Sequence, residues 1–196
     1  MPLNFLCEIT MIQTNFIALI LQNEIFFVNL QHIAKNEILM KEITLTSRIM
    51  ECTADELCPQ EKALVEAANK ATFRSYSPYS KFSVGSALLL ADGTVVTGCN
   101  QENAAFSVTV CAERSALFAA GAQYPDVPPV AIAISARNAQ GNFSDTPVSP
   151  CGVCRQAMIE TETRYGRQLV ILLAGKEKIY RMEGIKTLMP LSFTDF

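Results

Sequence analysis

The sequence has no tryptophan, and its single histidine, His32, leaves residues 50–196 with none. Imidazole is therefore excluded there both as a metal ligand and as a proton carrier near neutral pH. A basic excess is also missing. Sixteen Lys and Arg stand against nineteen Asp and Glu, for a net charge of −3. Such a surface does not attract phosphate backbones or anionic lipid, so neither nucleic acid nor membrane is an expected partner. The longest clean apolar run, "FIALIL" (16–21), falls well short of the roughly 20 residues a spanning helix needs. A basic start with a small-residue cleavage site is not evident. Residues 1–49 carry one arginine and four glutamates, the wrong balance for a mitochondrial presequence. An even cysteine count is lacking too: there are seven, at 7, 52, 58, 99, 111, 151 and 154. A secreted disulfide framework fits an odd count in a chain this long poorly, and reduced thiols in a cytoplasmic setting fit better. Free cysteine is most often a small buried apolar residue, and Cys7, Cys52, Cys58 and Cys99 read that way.

What is present is divided near Met50. Residues 1–49 are rich in Ile, Leu, Phe, Asn and Gln, with no regular pattern and no assignable role. From Met50 the elements are orderly. Residues 59–76 carry apolar side chains at 64, 67, 68 and 71, the spacing of one helix face, with Pro59 suited to a first helical position. "FSVGSALLLADGTVVTGCN" reads as two strands around the Asp92-Gly93 turn. "CAERSALFAAG" reads as a helix stopped by Gly121, and "PPVAIAISA" as a buried strand. "CGVCRQAMIETETRYG" reads as a helix closed by Gly166, followed by the buried strand "RQLVILLAG" and a weaker strand "KIYRME". Continuous apolar strands alternating with helices need cover on both faces. The expected architecture is α/β: a three-layer α/β/α sandwich with a mixed five-stranded sheet. Residues 50–196 are expected to form the catalytic domain, with 1–49 an extension outside the working enzyme.

Two stretches carry chemistry, and each falls where a strand ends and a helix begins. Alone, "CGVC" (151–154) reads equally as a redox dithiol or as half of a metal site. "CAE" (111–113) tips the balance, since a redox pair needs neither a third cysteine nor a glutamate two residues beyond it. Helix N-termini favour thiolates, and residues three apart in a first turn point the same way. Cys111, Cys151 and Cys154 thus offer three ligands, one short of a closed tetrahedral site. Zinc with an open fourth position is the catalytic kind. Three thiolates on Zn²⁺ leave a charge of −1, which calls for a nearby cation; Arg114 is the candidate, and Arg155 a second. With no histidine in reach, a carboxylate must move protons, and Glu113 is placed for it. A non-catalytic zinc module would want a fourth Cys or His, for which Cys99 is the only candidate.

These residues strongly resemble the small homotetrameric cytidine deaminases of nucleoside salvage. The resemblance spans residues 61–193 and rests on "YSPYSKFSVGSALL", "GCNQENAAFSVTVCAERSA", "SPCGVCRQ" and "LMPLSF". The pattern Cys-x-Glu followed by Pro-Cys-x-x-Cys is a zinc deaminase signature. It implies Cys111, Cys151 and Cys154 as zinc ligands and Glu113 as general acid/base. Asn100 and Glu102 would hold the ribose hydroxyls, Phe82 would pack on the pyrimidine, and the backbone around Ala104 would line the base edge. Phe193 would complete a neighbouring subunit's site. The reaction implied is hydrolytic: water adds at C4 of cytosine, Glu113 passes protons to N3 and to the departing amine, and ammonia leaves. A small nucleoside is the implied substrate. Against phosphorylated substrates, Glu102 places an acid near the sugar with no basic cluster beside it. Three features depart from the family: Phe106 where tyrosine is usual, Ser86 where alanine is usual, and the 49-residue leader.

Overall fold

The computed structural model describes residues 41–194. The chain divides into two units between Thr44 and Leu45, and the fold below is that of Leu45–Phe196. The expectation for residues 1–49 therefore falls mostly outside the described residues.

Element order follows the hydrophobic pattern. It runs β1 (Met50–Cys52), α1 (Pro59–Ala71), β2 (Ser83–Leu90), β3 (Val95–Cys99), α2 (Ala112–Gln123), β4 (Pro129–Arg137), α3 (Gly152–Tyr165), β5 (Val170–Ala174) and β6 (Ile179–Glu183). The sheet is mixed, in the order β1-β6-β5-β4-β2-β3. Only β4 and β5 are parallel, joined by the α3 crossover; β2 pairs antiparallel with β3 and β4, and β6 with β5 and β1. The sheet has six strands, not the five expected. The added strand is β1, which lies along the outer edge of β6 with Met50 opposite Arg181 and Cys52 opposite Ile179. Its three residues are exposed or half-buried, too few to show an alternation, so only backbone pairing defines it.

Strand alternation splits the core in two. Ala87, Leu89, Ala131, Ala133 and Leu172 face α1 and meet Leu64, Val65 and Ala68. Leu88, Leu90, Ile132, Ile134, Ile171 and Leu173 face the other way and meet Ala116, Leu117, Met158 and Ile159 of α2 and α3. Each fully buried Leu or Ile contributes about 1.5–3 kcal/mol, so both sheet faces resist exposure and the three layers are fixed.

Two glycines set how closely helices approach the sheet. A Cβ on Gly98 of β3 would collide with the Ala112 carbonyl and the Ala116 amide of α2. A Cβ on Gly85 of β2 would collide in the same way with Ala68 and Thr72 at the end of α1. Gly98 thereby seats the first turn of α2, which carries the chemistry, directly on the sheet. The Asp92-Gly93 hairpin forms as expected, with Gly93 at φ +89° and Asp92 Oδ1 accepting from the Thr94 amide at 2.9 Å. Gly166 closes α3 in the left-handed conformation. Gly121 does not stop α2. The helix continues to Gln123, because a lone glycine costs a helix only about 1 kcal/mol.

Candidate metal centre and substrate loop

Cys111 and Cys151 occupy the N-cap positions of α2 and α3, both with extended backbone. Their carbonyls accept the first helical bonds, from Ser115 at 3.0 Å and Arg155 at 2.9 Å. Cys154 lies one turn into α3 and is fully buried. The crossover from β4 brings the two helix starts together. Cys111 and Cys151 sulfurs lie 3.9 Å apart, Cys151 and Cys154 sulfurs 3.5 Å apart, and all three fall within 4.8 Å of one another. A hydrogen bond from the Cys154 thiol, together with Arg114 and Cys151 and against the opposing effect of burial, lowers the Cys111 pKa to about 5. The same bond, with burial and the nearby Glu113, pushes Cys154 up. Three convergent sulfurs at two helix N-termini form a donor set suited to a thiolate-preferring divalent ion such as zinc.

Glu113, in the first turn of α2, is 4% exposed. Burial, with the Cys111 charge beside it, raises its carboxyl above the usual range. It can thus hold a proton at higher pH than a surface glutamate, as an acid/base group needs. Arg114 donates from Nη2 to the Thr109 carbonyl at 3.2 Å and reaches the Cys111 sulfur at 3.9 Å. Burial opposes its charge, but the bond and attraction to Cys111 prevail and raise its pKa. Its Nε is buried without a partner. Arg155 turns elsewhere. It donates from Nε to the Pro150 carbonyl at 2.9 Å and from Nη1 to the Leu188 carbonyl at 2.8 Å, tying the C-terminal segment to the start of α3. Cys99 stands outside the sulfur cluster, donating to the Arg74 carbonyl at 3.2 Å. Cys58 is exposed rather than buried, and its sulfur caps α1 by accepting from the Glu61 amide at 3.5 Å.

Four of the remaining expected site residues, Phe82, Asn100, Glu102 and Ala104, fall on one loop system, and Phe193 lies apart from it. Residues 76–82 are laced to the segment after β3: the Tyr76 amide donates to the Asn100 carbonyl at 3.0 Å, and the Glu102 amide to the Tyr76 carbonyl at 2.8 Å. Glu102 Oε2 accepts from the amides of Tyr79 at 2.9 Å and Ser80 at 3.2 Å. A side-chain bond from Ser80, with these amides, holds its carboxyl below the usual range. Asn100 accepts at Oδ1 from Ser75 Oγ at 2.5 Å and from the Val84 amide at 2.8 Å, and donates to the Phe82 carbonyl at 2.9 Å. Asn100 thus fixes the backbone of half-buried Phe82, a role sequence reasoning missed. Between these anchors Lys81 holds a left-handed φ of +56°, a strain of roughly 1 kcal/mol that the surrounding bonds sustain. Ala104 is exposed, between Asn103, whose amide donates to Thr109 Oγ1 at 3.1 Å, and Ala105, whose amide donates to Asn103 Oδ1 at 2.9 Å. Thr109 therefore links the loop around Ala104 to Arg114. Phe193 is exposed, its carbonyl accepting from Gln156 Nε2 at 2.9 Å. It borders a groove of about 540 Å³ between α2 and α3, with Leu117, Phe118, Ala157 and Tyr165; none of the three clustered cysteines lines it.

An α/β/α sandwich that gathers thiols and a buried carboxyl at two helix starts defines a class of metal-dependent hydrolytic enzymes, and comparison with known proteins narrows it. Residues 59–169 match the "Cytidine and deoxycytidylate deaminase zinc-binding region". A cytidine deaminase of Sporosarcina psychrophila is 46% identical over 99 residues, covering 50% of this chain and 66% of the relative. One from Halalkalibacterium halodurans is 48% identical over 98 residues, covering 50% and 68%. The aligned segments thus span about two thirds of those relatives' own length. The crystal structure of a cytidine deaminase from Burkholderia pseudomallei superposes with a TM-score of 0.56 at 39% identity, covering 67% of this chain and 97% of that one. The chain belongs to the cytidine and deoxycytidylate deaminase family and is an enzyme of that kind.

Proposed function

We propose that this protein converts cytidine and deoxycytidine to uridine and deoxyuridine with release of ammonia, in pyrimidine nucleoside salvage. The observation that carries the reading is the meeting of Cys111, Cys151 and Cys154 within 4.8 Å, beside the buried Glu113. The three cysteines would hold zinc. Bound there, zinc supplies an electrophilic centre that makes a water at its open position easier to ionise. Glu113 would take one proton from the attacking water and give it to N3 of cytosine, then take the second from the hydroxyl added at C4 and give it to the departing amine, so that the C4–N bond breaks, ammonia leaves and the 4-oxo product remains. The raised pKa of Glu113 favours a carboxyl that is protonated for part of the cycle. Arg114 offsets the thiolate charge from 3.9 Å.

The loop system binds substrate. Phe82 packs on the pyrimidine, the backbone around Ala104 lines the base edge, and Asn100 and Glu102 hold sugar hydroxyls. Nucleosides are favoured over nucleotides because Glu102, kept ionised by its donors, repels phosphate near the sugar. Phe193 completes the site of a neighbouring subunit in a homotetramer. The exposed Phe118 and the small-residue face of α2 suit such an assembly, and an active monomer in sedimentation under assay conditions would refute it. The setting is cytoplasmic; among the described residues no helix is long and apolar enough to cross a membrane. The reading is tested by offering the purified protein cytidine, deoxycytidine, cytosine and deoxycytidylate. Uridine from cytidine and deoxyuridine from deoxycytidine should each appear in an amount equal to the ammonia released. Preferential turnover of the free base or the nucleotide would overturn it.

A further inference from the structure

A carboxamide that binds a sugar can in principle both donate and accept, but Asn100 has only one of these left. Its oxygen has two lone pairs, taken by Ser75 Oγ at 2.5 Å and the Val84 amide at 2.8 Å. Its nitrogen has two hydrogens, one of which goes to the Phe82 carbonyl at 2.9 Å. The two backbone partners settle which end is oxygen, since an amide only donates and a carbonyl only accepts. One N–H remains for a ligand.

Ser75 is itself held in place. Its Oγ lies 3.2 Å from Ser77 Oγ, which lies 3.2 Å from Ser83 Oγ. A hydroxyl has one proton, and the Asn100 oxygen can only accept. The Ser75 proton therefore goes to Asn100, the shorter of its two contacts, and Ser77 lies 3.2 Å from the hydroxyls of both Ser75 and Ser83.

We infer that Ser75 is a positioning residue for sugar recognition: by filling the second acceptor site of Asn100, it makes that side chain donate only. Glu102 does the opposite, since an ionised carboxylate only accepts. The pair then selects a group that accepts from Asn100 and donates to Glu102, which is a hydroxyl. Without Ser75 the Asn100 oxygen regains an open lone pair, and the carboxamide loses one of the three bonds that fix it. This inference rests on the proposed nucleoside deaminase activity.

The test compares wild type, Ser75→Ala and Ser75→Thr on cytidine, 2′-deoxycytidine and 3′-deoxycytidine. A net neutral hydrogen bond corresponds to about threefold to tenfold in binding. Ser75→Ala should raise KM for cytidine by about that factor with kcat little changed. It should leave KM unchanged for the deoxy analogue that lacks the contacted hydroxyl. Ser75→Thr, which keeps the hydroxyl, should restore the wild-type KM. An equal loss on all three substrates, or a fall in kcat alone, would mean that Ser75 merely supports the fold and would overturn the inference, as would an unchanged KM for cytidine. A wild type that turns over none of the three would overturn the parent reading and this inference with it. A working wild type with an indifferent Ser75→Ala would overturn this inference alone.

Discussion

Replacing Arg114 with alanine removes the cation nearest the sulfur cluster. A guanidinium and a thiolate about 4 Å apart attract by about 4 kcal/mol at an effective dielectric of ~20. The Arg114 nitrogen stands 3.9 Å from the Cys111 sulfur. The side chain is half-buried, so solvent and salt reduce that figure. Losing an outer partner of a metal ligand typically costs about 10–100-fold in metal affinity. Competition with a chromophoric chelator should show zinc held that much more weakly by Arg114→Ala. Because Arg114 also binds the Thr109 carbonyl, the alanine result has two possible origins. Arg114→Lys separates them, since it keeps the charge without the fork. Recovery of most of the affinity with lysine assigns the effect to charge. The reasoning is refuted if Arg114→Ala holds zinc as tightly as wild type, or if lysine recovers nothing.

Glu113→Gln should keep zinc and fold and lose turnover by about 10⁴-fold or more, the upper end for an acid–base group; steady-state rates within about threefold of wild type would remove Glu113 from the proton path. Ser86 Oγ is buried with no hydrogen-bond partner, an arrangement that costs about 1–3 kcal/mol. Ser86→Ala should therefore stabilise the protein by about 1 kcal/mol, raising Tm by about 2–4 °C in a domain of this size; a lower Tm in a thermal scan would show that the hydroxyl has a partner. A chain beginning at Met50 should be soluble, bind zinc and match the full chain's rate per site. Insolubility or inactivity of that chain would make residues 1–49 part of the working fold.

The elements legible in the sequence are those that bury continuous or periodic apolar faces. β4 and β5 could be read as buried strands because both their faces are covered, and α1 because Leu64 and Ala68 share one stripe. β1 has no such signature: three exposed or half-buried residues join the sheet through backbone pairing with β6. The sulfur cluster was legible because ligand chemistry constrains spacing within each motif. The crossover that joins the two motifs follows from the strand–helix order. The anchoring role of Asn100 was hidden, since Ser75, Val84 and Phe82 lie 25, 16 and 18 residues away in sequence and meet it only on folding. Ser75, Ser77 and Ser83 likewise read as ordinary turn serines until folding lines up their hydroxyls. Arg155 shows the reverse: its place beside Cys154 suggested a thiolate partner, whereas the turn of α3 directs it to the Pro150 and Leu188 carbonyls.

The central claim is that Cys111, Cys151 and Cys154 hold a zinc ion on which deamination depends. The most direct test follows ammonia release from cytidine while zinc is removed by a chelator and then restored, with metal content measured at each stage. The expected result is about one zinc per chain at full rate, as for a site with three protein ligands and an open position, with activity falling in proportion to zinc lost and returning on addition of zinc alone. Turnover that persists after complete metal removal, or a fully zinc-loaded protein that releases no ammonia from any cytosine nucleoside, would contradict it.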